Sequence, residues 1–280
     1  MNQHVTLPAD PAARFHQLHR DFFVLPTVWD TLSGLAAVAA GYPAVATSSA
    51  ALGFAKGILS SERVPFDVVE AQLRLIADSL PVPVSIDMED GYPEVPGGVA
   101  ESITRIIGAG VIAANIEDSW HGHARPLASA DDHARRIATI RAAADRARPG
   151  FFVNARTDLF LQGPGVEPEV SVAEAIRRAN LYVEAGADGI YVTGKALGDD
   201  QIAELAAGIR APLTVGAPDG RPFGSWAGLG VKRASLGIHV IRNAFHAIRD
   251  QLRHIGTATE VPPLVDVDID AAIRAGRARG

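Results

Sequence analysis

Along the chain, short β-branched and apolar runs alternate with longer stretches whose apolar positions recur at spacings of three and four. The short runs predict strands over Phe23–Thr27, Ala44–Ser48, Pro83–Met88, Ala113–Glu117, Phe151–Ala155, Gly189–Thr193, Leu213–Gly216 and Arg233–Leu236. The longer stretches predict helices over Phe66–Ser79, Ala100–Gly108, Ala130–Ala147, Val172–Ala185, Gln201–Gly208 and Val240–Arg253. Strands separated by helical crossovers imply a parallel sheet. Eight such units within about 230 residues favour an α/β fold closed into a (β/α)8 TIM-type barrel over an open doubly wound sheet.

Glycine marks several strand approaches, in Ala40-Gly41-Tyr42, Gly108-Ala109-Gly110 and Ala185-Gly186-Ala187. A glycine there ends the preceding helix through a left-handed residue. No glycine-rich nucleotide fingerprint follows the first strand. With no low-complexity linker, residues 1–280 read as one domain, its barrel from about 22 to about 255. An N-terminal helix (Ala12–His19) and a C-terminal extension over about 256–280, with a helical segment Ile269–Arg279, lie outside the barrel.

Composition narrows the classes. A length of 280 residues suits a barrel with extensions. A net charge of −6 with no basic tract gives no reason to expect nucleic acid or a membrane surface as partner. The chain has no cysteine, which excludes disulfides, thiolate nucleophiles and cysteine zinc sites and fits a cytoplasmic protein. The N-terminus lacks the apolar core of a signal peptide. The most apolar window, Leu32–Ala55, is broken by Gly41-Tyr42-Pro43 and Thr47-Ser48-Ser49, so it reads as helix, turn and strand, not a membrane span.

Barrel chemistry belongs at the C-terminal strand ends. The third strand ends in Asp87-Met88-Glu89-Asp90-Gly91-Tyr92 and the fourth in Asn115-Ile116-Glu117-Asp118. Strand alternation points Asp87 and Glu89 the same way, with Glu117 beside them from the neighbouring strand. Three carboxylates on one rim repel unless a cation intervenes, and oxygen donors suit Mg²⁺ or Mn²⁺. The same acids also read as helix caps and surface turns. Arg156, in Asn154-Ala155-Arg156-Thr157-Asp158, suits bidentate binding of a carboxylate or phosphonate, or a structural ion pair with Asp158 or a rim acid. Thr47-Ser48-Ser49-Ala50-Ala51 is small enough for backbone N–H groups and hydroxyls to reach an anion, or simply to pack tightly. His121 and His123 form an H-x-H pair beside Trp120 that reads as part of a lid, with His123 as candidate acid or base; a transition-metal site and a solvated loop are the alternatives. Lys195 is a candidate Schiff-base lysine, and Lys56 reads as a solvated loop residue.

Taken in order, these segments resemble the isocitrate lyase/phosphoenolpyruvate mutase superfamily. The resemblance is carried by Leu25-Pro26-Thr27-Val28-Trp29-Asp30, Ala46-Thr47-Ser48-Ser49-Ala50, Asp87 to Tyr92, Asn115 to Asp118, Asn154 to Asp158, Ala185-Gly186-Ala187-Asp188-Gly189 and Gly230 to Gly237. It implies a Mg²⁺-bearing barrel in which Asp87 coordinates directly and Glu89 and Glu117 act through metal-bound water. It further implies that Ser49 and Ala50 grip the substrate, that Arg156 holds its carboxylate or phosphonate, and that Trp29 and Asp30 line the first-strand rim. Thr47 and Thr193 join the substrate set, and Glu117 and His123 join Arg156 as catalytic candidates. Members are commonly tetramers that swap a C-terminal helix, so a homo-oligomer, dimer or tetramer, is expected.

Four departures shape the functional expectation. The lid Ser119-Trp120-His121-Gly122-His123-Ala124-Arg125 has no cysteine, which argues against isocitrate or methylisocitrate cleavage. Lys56 stands where the mutase and hydrolase branches carry an aspartate, and Thr193 where some members carry His or Glu. The seventh strand end, Thr214-Val215-Gly216-Ala217-Pro218, lacks the Asn and Thr that grip a tricarboxylate, which predicts a smaller substrate. The leading expectation is a Mg²⁺-dependent carbon–carbon lyase or decarboxylase acting on a small, oxaloacetate-like 2-oxo acid through an enolate. The alternatives are a C–P bond enzyme (phosphonomutase or phosphonopyruvate hydrolase), a Schiff-base aldolase on Lys195, or a non-catalytic 2-oxo acid binder.

Overall fold

The computed structural model describes residues 10–121, 126–161, 168–194, 197–217, 220–257 and 268–277. Nine parallel strand segments curl into a nearly closed barrel with helices around it, the (β/α)8 TIM-type architecture. They are β1 (Phe23–Leu25), β2 (Thr27–Val28), β3 (Val45–Thr47), β4 (Val84–Asp87), β5 (Ala113–Glu117), β6 (Phe152–Thr157), β7 (Gly189–Val192), β8 (Leu213–Gly216) and β9 (Arg233–Ser235).

The predicted first strand is two segments because Pro26 divides it. Proline has no N–H to give a ladder. On one side of it β1 pairs with β9, and on the other β2 pairs with β3. The Pro26 carbonyl still accepts from the Ala46 N–H at 2.9 Å, so the ring closes across this residue.

The helices are α1 (Pro11–Leu18), α2 (Thr31–Ala39), α3 (Ser49–Phe54), α4 (Phe66–Ser79), α5 (Gly98–Gly108), α6 (Ala130–Ala147), α7 (Pro168–Glu184), α8 (Asp199–Gly208), α9 (Phe223–Gly228), α10 (His239–Thr257) and α11 (Ile269–Arg277). Gly41 (φ +88°) and Gly186 (φ +105°) take the left-handed conformation expected where α2 and α7 end. None of the described helices is long and apolar enough to cross a membrane.

Alternate strand residues face the helices. Ile86, Ile116, Val153, Ile190, Val192 and Val215 pack there with Ile103, Ile106, Ile137 and Ile140 from α5 and α6. Each such buried side chain stabilises the fold by roughly 1.5–3 kcal/mol. The opposite strand faces fill the barrel. Phe15 of α1 closes its N-terminal end against Leu25, Ala46, Ala113 and Phe152.

Candidate active site

The C-terminal strand ends carry the predicted polar residues, and the structure divides them into two ion-pair groups. In the first, Arg156 on β6 faces Glu117 on β5. Its Nη1 lies 3.1 Å from Glu117 Oε2 and 3.9 Å from Asp87 Oδ1, while its Nε donates to Asp158 Oδ1 at 2.6 Å. Burial works against the guanidinium's charge. Asp158, Glu117 and Asp87 outweigh it and hold the group protonated far above the ordinary arginine range. Asp87 is fixed from the other side: the Ser49 hydroxyl donates to its Oδ2 at 2.9 Å and the Ser49 N–H at 3.3 Å.

Arg63 organises the second group. Its guanidinium contacts Glu89 at 3.1 Å, Glu94 at 2.7 Å, and Asp90. It also lies 4.6 Å from the centre of the Tyr92 ring. His121 Nδ1 comes to 2.5 Å from Glu89 Oε2, and the His121 N–H donates to Asp90 at 3.1 Å. Burial, opposed by Arg63 and reinforced by Asp87 and Asp90, leaves the Glu89 carboxyl pushed up to about 7.

Strand alternation therefore does not carry Glu89 alongside Asp87. β4 ends at Asp87, and Glu89 takes a left-handed backbone (φ +52°), as does Tyr92 (φ +54°). These two are the only non-glycine residues of positive φ described, and both lie in one rim loop. Such geometry costs about 1–3 kcal/mol per residue and clusters at functional sites. The loop is held by Glu117 N–H donating to the Glu89 carbonyl at 2.8 Å and Gly91 N–H to the Met88 carbonyl at 2.8 Å. Register matters too. Asp87 stands opposite Asn115, so Glu117 is level with Glu89 and not with Asp87.

No group of three or more acids and histidines among the described residues is arranged to hold a metal ion. The donor chemistry nonetheless suits a hydrated Mg²⁺. That ion needs only one or two carboxylates, with water completing its octahedron. Asp87 and Glu117 reach the same guanidinium nitrogen from adjacent strands, and Asp87 is oriented by Ser49.

The other predicted residues distribute as follows. Thr193 lines a cavity of about 670 Å³ at the β7–β9 side of the mouth, with Tyr191, Gly216 and Ser235. Trp29 is partly buried against the main core. Asp30 caps α2: its carboxylate accepts from Ser33 N–H at 2.7 Å, and the Ser33 hydroxyl accepts from the Asp30 N–H at 3.1 Å. Ser49 and Ala50 open α3, as the small-residue turn predicted. Thr47 is buried, with no partner for its hydroxyl. It shares a strand face with Val45, which packs towards the helices, so the side chain of Thr47 is not brought to the mouth. Lys56 donates to Gln72 at 3.0 Å on the exterior, away from the acids. His123 and Lys195 lie outside the described residues.

Sequence reasoning missed Arg63, which sits in a polar loop without a motif. It also missed a buried polar set inside the barrel. Arg233 donates to Asn115 Oδ1 at 2.7 Å, Asn154 donates to the same oxygen at 2.8 Å, and Ser85 and Thr214 are equally buried. A signal for most of these was present. Ser85, Asn115 and Asn154 stand two positions before Asp87, Glu117 and Arg156, so the period-two pattern marks both pairs as inward-facing.

Fold and site together define a (β/α)8-barrel protein that gathers paired carboxylates and an arginine at its C-terminal mouth. The sequence profile of phosphoenolpyruvate phosphomutase matches residues 15–256, and the chain belongs to this family. It is 32% identical to the uncharacterized protein Rv1998c of Mycobacterium tuberculosis H37Rv, over 89% of this chain and 91% of that one. It is 29% identical to phosphoenolpyruvate phosphomutase of Streptomyces viridochromogenes, over 86% of this chain and 80% of the other. A crystal structure of a provisionally named phosphonomutase from Burkholderia cenocepacia J2315 superposes with a TM-score of 0.82 at 33% identity, covering 87% of this chain and 98% of that one.

Proposed function

We propose that this protein is a Mg²⁺-dependent enzyme that breaks a bond at C3 of a small 2-oxo acid through an enolate, as a carbon–carbon lyase or decarboxylase. The observation that carries the reading is Arg156, held charged at the mouth between Asp87, Glu117 and Asp158. Mg²⁺ (or Mn²⁺) held by Asp87, with Glu117 and Glu89 reached through water, would supply a Lewis acid beside the 2-oxo group.

The protein's own groups divide the remaining work. Arg156 offers its guanidinium to the substrate carboxylate, a pairing suited to two parallel hydrogen bonds. Ser49 fixes the Asp87 carboxylate, and with Ala50 it borders the space into which the substrate must come. Arg63 holds Glu89 and Asp90, and so keeps the strained loop in place. Trp29 and Thr193 flank the site as substrate contacts. The described imidazole nearest the acids is that of His121, which takes the proton-transfer role alongside or in place of His123.

The test is a Mg²⁺-supplemented screen for pyruvate-type products from oxaloacetate, substituted malates, 2-methylisocitrate and phosphonopyruvate. Turnover of a 2-oxo or 2-hydroxy acid that stops in EDTA supports the reading, and full activity in EDTA removes it. A C–P reading is favoured by the names of the profile, the Streptomyces relative and the Burkholderia structure. Conversion of phosphonopyruvate alone would establish it. Oxalate binding without turnover of any candidate would mark a 2-oxo acid binder.

The same proposal includes a second copy of the chain as partner. No residue of α10 is buried, and Phe245, Ile248, Leu252 and Ile255 recur on it at helical spacing while remaining 47–68% exposed. Light scattering on the wild type, and on Phe245→Asp with Ile248→Asp, checks it: a dimer or tetramer that falls to monomer is expected.

A further inference from the structure

The barrel interior holds a positive charge that no carboxylate answers. Arg233 on β9 is completely buried. Its side chain crosses the barrel to β5, the strand facing it, where Nη2 donates to Asn115 Oδ1 at 2.7 Å. The other two guanidinium nitrogens, Nε and Nη1, have no partner among the described residues. Burial brings the group down to about 10 and only Tyr191 opposes the shift, so Arg233 keeps its charge at neutral pH. Arg156, at the mouth above it, has three carboxylates for the same charge.

Polar side chains share the space that Arg233 crosses. Ser85 on β4, Asn154 on β6 and Thr214 on β8 come from alternate strands, the arrangement that forms one layer of side chains inside such a barrel. Thr214 is the register partner of Arg233, and Ser85 stands on the strand beside Asn115. All three are fully buried, and the Ser85 and Thr214 hydroxyls have no partner among the described residues. Against these N–H and O–H groups the set offers one unpartnered carbonyl oxygen, that of Asn154. The interior is therefore rich in donors and short of acceptors.

Buried donors are almost always satisfied, and a buried charge without a counter-charge is strongly disfavoured. Water could accept from these groups but would bring no negative charge. An anion does both. Layers of side chains fill a barrel of this kind, so the space suits an occupant near the size of a water molecule, which excludes a carboxylate and fits a halide.

We propose that the barrel interior binds a chloride-sized monovalent anion on the Arg233 guanidinium, with the Ser85 and Thr214 hydroxyls as further donors. The site lies below the mouth and is independent of any substrate there.

The test uses bromide and chloride on the full chain, with gluconate, too large for the site, as the control anion at equal ionic strength. The melting temperature should rise by about 3 °C or more in either halide, and the rise should saturate with concentration as a binding site does. Anomalous diffraction from crystals grown in sodium bromide should place a bromide against Arg233 inside the barrel. Arg233→Met, which keeps the length without the charge, should lose both signals; if that variant does not fold, the two wild-type measurements decide alone. Wild-type crystals with no bromide there, or equal melting temperatures in gluconate and halide, would overturn the proposal and leave water as the partner of these donors. Bromide in the crystal without a saturating stabilisation would mean binding at crystal concentration only, and would equally overturn it. So would either signal surviving in Arg233→Met.

Discussion

The two ends of the barrel bury ionisable groups in opposite ways. At the N-terminal end, His19 is packed against Phe152 with ring centres 4.2 Å apart, beside Phe15 and Phe23. Its Nδ1 faces the Phe15 carbonyl at 2.8 Å. Burial first, and then the nearby Arg233, bring its pKa down to about 3, so the imidazole is neutral. At the C-terminal end, Arg156 is as deeply enclosed, yet it keeps its charge because three carboxylates face it. A plug needs only to exclude water, and discarding charge achieves that. Keeping buried charges in opposition is not an efficient route to stability, because desolvation offsets most of their attraction. The mouth is therefore the end built for chemistry, where sequence and stability part company.

The sharpest way to break this contrast is at Asp87. Asp87→Ala should lower Mg²⁺-dependent turnover on the order of 10³-fold, measured as kcat/KM. Arg156→Ala should raise KM. It should also destabilise the fold by about 3–5 kcal/mol, since it removes the guanidinium that Glu117 and Asp158 share in a buried site. Denaturant unfolding beside the assay reads both effects, and an Arg156→Ala protein of wild-type stability would contradict the description of the mouth.

At the other end the expected losses are purely structural. Phe15 is fully buried and meets Phe152 edge-on at 5.4 Å. Phe15→Ala should cost about 3–5 kcal/mol of stability and leave kcat intact below the melting temperature. A selective loss of kcat would mean that the two ends are coupled.

His19 gives the floor a pH signature. Its folded pKa, about 3, lies below the ordinary histidine value of 6.5. Between those values the unfolded chain binds the proton and the folded chain does not, so stability is complete above pH 6.5 and declines as pH falls towards 3. Near pH 5 the loss from this group is about 2 kcal/mol, at 1.36 kcal/mol per unit. His19→Gln should flatten this limb between pH 6.5 and 5 in urea melts; an unchanged slope would mean the ring is not kept neutral.

Much of this architecture was legible in the sequence. The strand–helix alternation gives the barrel, and Asp87, Glu117 and Arg156 do meet at its mouth. Three things were not legible, each for a physical reason. The alternation rule holds only within a strand, so it fails at Glu89, where the backbone turns left-handed. The partner that neutralises Glu89 and Asp90 is Arg63, from a loop with no periodicity to announce it. The split at Pro26 needed knowledge of which neighbours the first strand pairs with, and that is a property of closure. Thr47 also shows that a position beside a motif does not fix where the side chain goes.

Asp30 offers the finest discrimination, because sequence and structure give it different work. The resemblance places it among the substrate contacts, while in the structure its carboxylate completes the cap of α2 with Ser33. The two roles separate in a pair of variants. Asp30→Ala removes the cap and should lower stability by about 0.5–2 kcal/mol. Asp30→Asn keeps an oxygen to accept from the Ser33 N–H and should restore that loss almost entirely. If capping is its whole contribution, Asp30→Asn will match the wild type in both melting temperature and KM. If the carboxylate also meets the substrate, Asp30→Asn will keep the wild-type melting temperature but shift KM, and the mouth then extends to the first-strand rim.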